Sequence, residues 1–337
     1  MPRAERGHPD RERGAALLTV LLMVAIIAVL AAAGLEKLRL STRIAGNAAA
    51  TEQARAYALA AETLAIVRID GLLRQQPDRI TLAGGWSGHP FSLPLPGGIA
   101  TARVTDGGNC LNLNGLVTQV TDGPAAGAYR AAPGQMAEFA RLIRSQGTPG
   151  QLADTIAAAT ADWIDTDAVE LPGGAEDGRY ADGEQPYRTA NTLMADPSEL
   201  RAVAGVTPAI YASLRPYICT LPVPRPSTLN IDTLLPEQAP LVAMLAPDTI
   251  GVGQAQTALV ARPPQGFASV GDFWKQAALA GGANTGEAQG RTGVLTRWFT
   301  LDIDVGLGGV TRLREHALVD ATRLPPRLVS RQWGEDS

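Results

Sequence analysis

Hydrophobic and polar positions change their spacing four times along the chain, and the successive patterns predict its elements. From Ala15 to Leu35 the residues are apolar apart from Thr19 and Gly34. At about 1.5 Å per residue this run reaches roughly 31 Å, the thickness of a bilayer core. Beyond it no proline intervenes before Arg74, and Ala54, Tyr57, Ala58, Ala61, Leu64 and Ala65 recur at steps of three and four, the pattern of a one-sided helix. Together the two regimes predict a single helix from Ala15 to about Gln75, roughly 90 Å long.

The period then shortens. A turn-rich stretch, PDRITLAGGWSGHPFSLPLPGG, leads into IATARVTD and CLNLNGL, whose alternation predicts short strands. Alternation returns at the far end in WFTLDIDVGLGGVTRLREHALVDATR, a hairpin turning at Gly306-Leu307-Gly308-Gly309, and in PPRLVSRQW. Between these lie helical patterns: APGQMAEFARLIRSQG, QLADTIAAATADWID, and a segment opening at Asp196, an N-cap candidate followed by Pro197 and Glu199. ELRAVAGVTPAIYASLRPYI and PLVAMLAPDTIGVGQAQTALVAR each place a glycine-containing turn between two apolar helices. With TLNIDTL before the second and GFASVGDFW after it, they predict a helix-hairpin-helix (SAM-like) unit used twice. The expected class is α+β: a long helix on a sheet formed from both ends of the chain, with a helical insertion between.

Composition changes this picture little. The 337 residues carry a net charge of −4, with 36 glycines, 24 prolines and cations that are mostly arginine. This allows two or three loop-rich domains and does not suggest a phosphate-binding surface. Charge matters locally. Arg3, Arg6, Arg11 and Arg13 outnumber Glu5, Asp10 and Glu12 ahead of the apolar run, so that end is expected to stay cytoplasmic and the remainder to lie outside. VLAAAGLE offers small residues that a signal peptidase could cut after, but the apolar run is longer than a usual signal core and the helical pattern continues past it.

Three sets of residues carry candidate chemistry. Asp162, Asp165, Asp167, Glu170, Glu176, Asp177, Asp182 and Glu184 crowd a short loop with Arg179 as the local cation. Such a loop is either well solvated or bridged by a hard cation, and oxygen donors in irregular geometry favour calcium. Cys110 and Cys219 fall on the oxidising side of the membrane. A bridge between them would close a loop of about 110 residues and stabilise by roughly 4 to 5 kcal/mol, while two buried thiols are the alternative. His8, His89 and His316 are the only histidines, and no phosphate loop, nucleophile elbow or paired-histidine motif accompanies them. No catalytic residue is assigned and no enzymatic activity is expected.

RGAALLTVLLMVAIIAVL resembles the start of type IV prepilins and type II secretion pseudopilins. That resemblance implies a leader of residues 1–14, prepilin peptidase cleavage between Gly14 and Ala15, and N-methylation of Ala15. Most such proteins carry glutamate at the fifth mature position, where this chain has Thr19. The K minor subunit of type II secretion, the general secretion pathway K family, is known for lacking it. The central motifs point the same way: Trp163-Ile164-Asp165-x-Asp167, Gly174-Ala175-Glu176-Asp177-x-x-Tyr180, Pro186-Tyr187-Arg188-x-Ala190-Asn191, and Ser198-Glu199-Leu200-Arg201 leading to Gly205-Val206-Thr207-Pro208.

The resemblance to the K family implies a pilin-like α+β head with a large helical insertion. The expected division is an assembly helix over 15–75, head over 76–117, inserted helical domains over 118–224 and 225–296, and closing strands over 297–337. It further implies calcium in the insertion, with Asp165, Asp167, Glu170, Glu176 and Asp177 as candidate ligands. Implied partners are the I and J minor pseudopilins, the other pseudopilins of the fibre, the prepilin peptidase and the inner membrane, with a single pass and a periplasmic head. The role implied is a tip subunit that starts or caps a secretion fibre. The alternative is a membrane-anchored DNA receptor of a competence or pilus system using the hairpins. That reading needs cations beside them, but Arg262 and Lys275 are opposed by Asp248 and Asp272, and Arg201 and Arg215 by Glu199. Nucleic acid is therefore not an expected partner.

Overall fold

A computed structural model of the chain describes residues 9–181, 186–246, 249–279, 285–309 and 311–334. The first eight residues of the expected leader, Asp182 and Glu184, Asp248, and the last three residues of the closing segment lie outside that set. The predicted helix forms as α1 (Pro9–Gln75). Every residue from Gly14 to Ala49 is exposed, so the apolar run of Ala15 to Leu35 has no protein to pack on. Burial begins at Ala54 and continues through Ala58, Ala61, Ala65 and Ile69. Four alanines in that row let the helix axis approach the sheet closely.

The sheet starts with β1 (Phe91–Leu95) and β2 (Gly98–Asp106). FSLPL reads as a loop by sequence because of Pro94, but β1 is an edge strand, where a missing backbone donor is tolerated. The chain then leaves the sheet. The inserted body contains β3 (Leu111–Asn112), β4 (Val117–Gln119), β5 (Tyr129–Ala131), α2 (Pro133–Ser145), α3 (Gly150–Ile164), α4 (Asp177–Ala181), α5 (Pro208–Leu214), β6 (Ile218–Cys219), β7 (Leu229–Asn230), α6 (Ala239–Ala243), α7 (Val252–Val260), α8 (Val270–Trp274), α9 (Thr285–Gly290) and β8 (Thr292–Gly293). The sheet is completed by β9 (Trp298–Leu307), β10 (Thr311–Asp320) and β11 (Arg327–Trp333), giving the antiparallel order β1-β2-β9-β10-β11.

Register explains the two faces. Ala100 pairs with Val305, Ala102 with Ile303 and Val104 with Leu301, and this alternating set is buried under the alanine row of α1. The intervening positions are polar and face away: Thr105 bonds Thr300, His316 Nδ1 lies 2.8 Å from Asp302, and Arg312 and Arg314 converge on Asp304. His316 is thus a cross-strand contact on a polar surface.

The insertion has its own core. Phe139, Leu142, Ile143, Ile156, Ile164 and Leu200 pack in one cluster that extends through Leu241, Val242, Leu259 and Phe273. The sequence predicts a strand over CLNLNGL, but only β3 forms there, followed by a tight 3-10 turn at Leu113–Leu116. The reason lies in its asparagines, which satisfy loop backbone in place of a ladder. Asn112 accepts from the Leu221 amide at 2.9 Å and donates to the Val223 and Arg225 carbonyls. Asn114 donates to Met194 and Leu221 carbonyls and accepts from the Met194 amide at 2.8 Å. Asn109 and Asn230 join the inserted body to the turn after α1 through Thr233, Ile80 and Thr296.

Cys110 precedes β3 and Cys219 ends β6, which runs parallel to β3. The two are disulfide-bonded, with Cα atoms 5.8 Å apart and a sequence separation of 109. The segment opening at Asp196 divides at the expected glycine-containing turn, with Gly205 at φ +85° before α5, but its first arm is a capped 3-10 turn at Pro197–Ala202 and not an α-helix. Asp196 caps it through Ser198, and Glu199 reaches back to the Asp196 amide at 3.1 Å.

Candidate metal centre

The acidic residues collect where α3 ends. Its last turn contains Asp162, fully buried, whose carboxylate accepts the Ala175 amide at 2.7 Å and the Leu171 amide at 3.3 Å. These bonds bend the intervening loop back over the helix end. Gly174 packs directly on that carboxylate, where a Cβ would collide with it, and Gly173 takes φ +78°. The fold-back brings Asp165, at the helix C-cap, together with Asp167 and Glu176, and one carboxylate oxygen of each lies within 4.8 Å of the others.

This arrangement concentrates negative charge with little to offset it. Asp165 and Glu176 are buried and Asp167 is exposed. Asp165 Oδ1 and Glu176 Oε1 have no hydrogen-bond partner among the described residues. Burial, then the charges of Asp167, Asp162 and Glu176, push the Asp165 carboxyl up to about 7. Burial followed by Asp162 and Asp167 raises Glu176. Orphaned buried oxygens in an all-oxygen cluster fit a hard divalent cation, which would occupy those lone pairs and neutralise the repulsion.

The five residues expected as ligands are thus not all alike. Asp165, Asp167 and Glu176 converge. Glu170 is exposed on the same loop, outside the converging trio, and acts on Asp162 through its charge. Asp177 is otherwise engaged: it accepts the Thr189 hydroxyl at 2.8 Å and the Thr189 amide at 3.0 Å, which hold its carboxyl below the usual range. Thr189 also reaches Glu176 Oε2 at 3.5 Å. Sequence reading gave no role to Asp162 and Thr189 in shaping the loop, because neither stands out from its neighbours before the fold-back is known.

Aromatic residues wall the centre. Trp163 makes edge contacts with Tyr180 and Tyr187, and the two tyrosines lie against each other. Tyr187 donates to the Ala202 carbonyl at 2.8 Å, and the Ala204 amide donates to Tyr180. The Asn191 amide, at φ +48°, donates to Trp163. The tyrosine- and asparagine-containing motifs therefore fasten the acidic loop to the segment after Asp196. The hairpin cations are also accounted for in part: Arg262 is turned inward onto the Ile231 and Leu234 carbonyls, which removes it from any phosphate-facing surface.

Comparison with known proteins gives a consistent result. A family described as Type II secretion system (T2SS), protein K matches residues 109–223, and a second model of that description matches residues 229–294. The type II secretion system protein K of Pectobacterium carotovorum subsp. carotovorum is 33% identical over 325 residues, covering 96% of this chain and 97% of that protein. The protein of the same description from Klebsiella pneumoniae is 34% identical over 327 residues, covering 96% and 97%. A chain in the crystal structure of the GspK-GspI-GspJ complex from the enterotoxigenic Escherichia coli type 2 secretion system matches with a TM-score of 0.72 at 28% identity, covering 85% of this chain and 97% of that one.

Proposed function

The chain belongs to the type II secretion system protein K family, structural secretion proteins that are not enzymes, and on that premise we propose that it is the minor pseudopilin at the tip of the secretion pseudopilus. In this reading residues 1–14 are a leader, the peptidase cuts between Gly14 and Ala15, Ala15 is methylated, and α1 holds the subunit in the inner membrane with its head in the periplasm. Gly14 and Ala15 are exposed on α1, and the apolar residues after them are uncovered, ready for lipid or neighbouring helices. The head is pilin-like, and the inserted body carries two helical domains, 118–224 and 225–296, each with one helix-hairpin-helix unit; they share a core that also takes in Leu111, Leu113, Leu116 and Val117 from the segment expected to belong to the head.

The observation that carries the tip assignment is the size and position of the insertion. It leaves the sheet after β2 and returns at β9, so the head bears a body larger than itself that obstructs a further subunit stacking above. Thr19 supports it. Its hydroxyl donates to the Ala16 carbonyl at 2.9 Å within its own helix, so no carboxylate is offered there to a neighbour's terminal amine. By likeness to the GspK-GspI-GspJ complex, I and J subunits are the partners. Calcium is the proposed ion, held by Asp165, Asp167 and Glu176; bound there it would supply charge neutralisation and fasten the acidic loop to the end of α3.

An epitope placed after Trp333 tests the assignment. In fibres assembled with the other pseudopilins, gold label confined to fibre ends is the expected result. Label distributed along the length would sink the proposal.

A further inference from the structure

The junction between α1 and the last two strands buries two carboxylates against one cation. Glu62 of α1 and Glu315 of β10 are 6% and 2% exposed. Arg331 of β11 grips Glu62 with both ends of its guanidinium, Nε to Oε2 at 2.8 Å and Nη2 to Oε1 at 2.9 Å. The same Nε lies 3.3 Å from Glu315 Oε1. One positive charge thus faces two acids in a site from which water is largely excluded. Neither oxygen of Glu315 has a hydrogen-bond donor among the described residues. An ionised Glu315 would be a buried acceptor and a surplus charge, which costs far more than a proton placed on it.

We propose that Glu315 is held as the neutral acid, donating its proton to Glu62, and that this shared proton latches β10 and β11 to the assembly helix. The charged groups acting on Glu315 are Glu62 from α1 and Arg331 from β11, while β9 sets the apolar Ile303 opposite it. Burial first, and then Glu62, push the Glu315 carboxyl up to about 8. The latch matters because β11 is otherwise held by its ladder to β10 and by Leu328 near its start, neither of which ties its far half to α1. It is an edge strand whose residues are mostly exposed, and Arg331 is its polar link to α1.

A folded-state value raised above the ordinary glutamate range fixes the direction. The contribution is complete below about 4.5, declines as the pH rises through neutrality, and is gone above about 8. Hydrogen exchange of β11 amides in the full chain, divided by the intrinsic rate at each pH, reads it. The opening constant is expected to rise by up to about tenfold per pH unit between roughly 5 and 8 and then level off. Glu315→Gln, whose amide donates to Glu62 at every pH, is expected to remove that rise. An unchanged rise in the variant would overturn the proposal. Should the variant not fold, an infrared titration of the wild-type chain decides. A carboxylic-acid carbonyl band with a midpoint near 8, above the ranges of Asp106 at about 6 and Asp165 at about 7, supports the latch. Its absence at pH 7 refutes it.

Discussion

At Asp165 burial and charge act in the same direction, and the pH dependence of the acidic loop follows from that. Its carboxyl sits near 7 in the folded chain against an ordinary value of 3.8. In chelator its contribution is therefore full below about 4 and lost as the pH rises through about 7. The chain is expected to melt at a higher temperature at pH 5 than at pH 8 in chelator, and Asp165→Asn should shrink that difference; equal differences in variant and wild type would contradict the account. Added calcium should raise the wild-type melting temperature at pH 8 and do little for the variant. Only part of this centre could be read from residues alone. A crowd of carboxylates is visible as letters, but which oxygens are left without donors depends on Asp162 capturing the Leu171 and Ala175 amides and on Thr189 occupying Asp177.

Among elements, α1 and the asparagine-rich turn show two ways in which sequence pattern becomes packing. Ala58, Ala61 and Ala65 are buried against Ala100, Ala102 and their neighbours, so side-chain volume sets how close helix and sheet come. Ala61→Leu is expected to destabilise by about 1–3 kcal/mol through overpacking, measured as a lower urea midpoint with unchanged slope; a wild-type midpoint would mean the seam has slack. This helix was legible because spacing at three and four survives any context, and the β9–β10 hairpin because its alternation is long and ends in glycines. The asparagine turn was misread as strand because alternation describes CLNLNGL equally well when its polar residues face inward. β1 was misread because proline signals a break everywhere except along an edge.

For the whole molecule, the division between uncovered and covered α1 is the main architectural fact. Removing residues 1–49 is expected to leave the head's melting temperature within about 2 °C of the full chain in detergent, since every residue from Gly14 to Ala49 is exposed; a larger fall would mean that segment supports the head. The connectivity has a further consequence, in time as well as in space. β2 can bond to β9 only once residues near Phe299 are present, because Asp106 and Phe299 are partners in that ladder. The inserted body closes its own core and disulfide from residues that all precede β9. A chain that becomes available in order from its N-terminus therefore completes its passenger before its platform, and the long contact between β2 and β9 is closed late. The surface that receives α1 is the last part to be finished, so a chain interrupted before β9 carries a folded insertion on an open sheet.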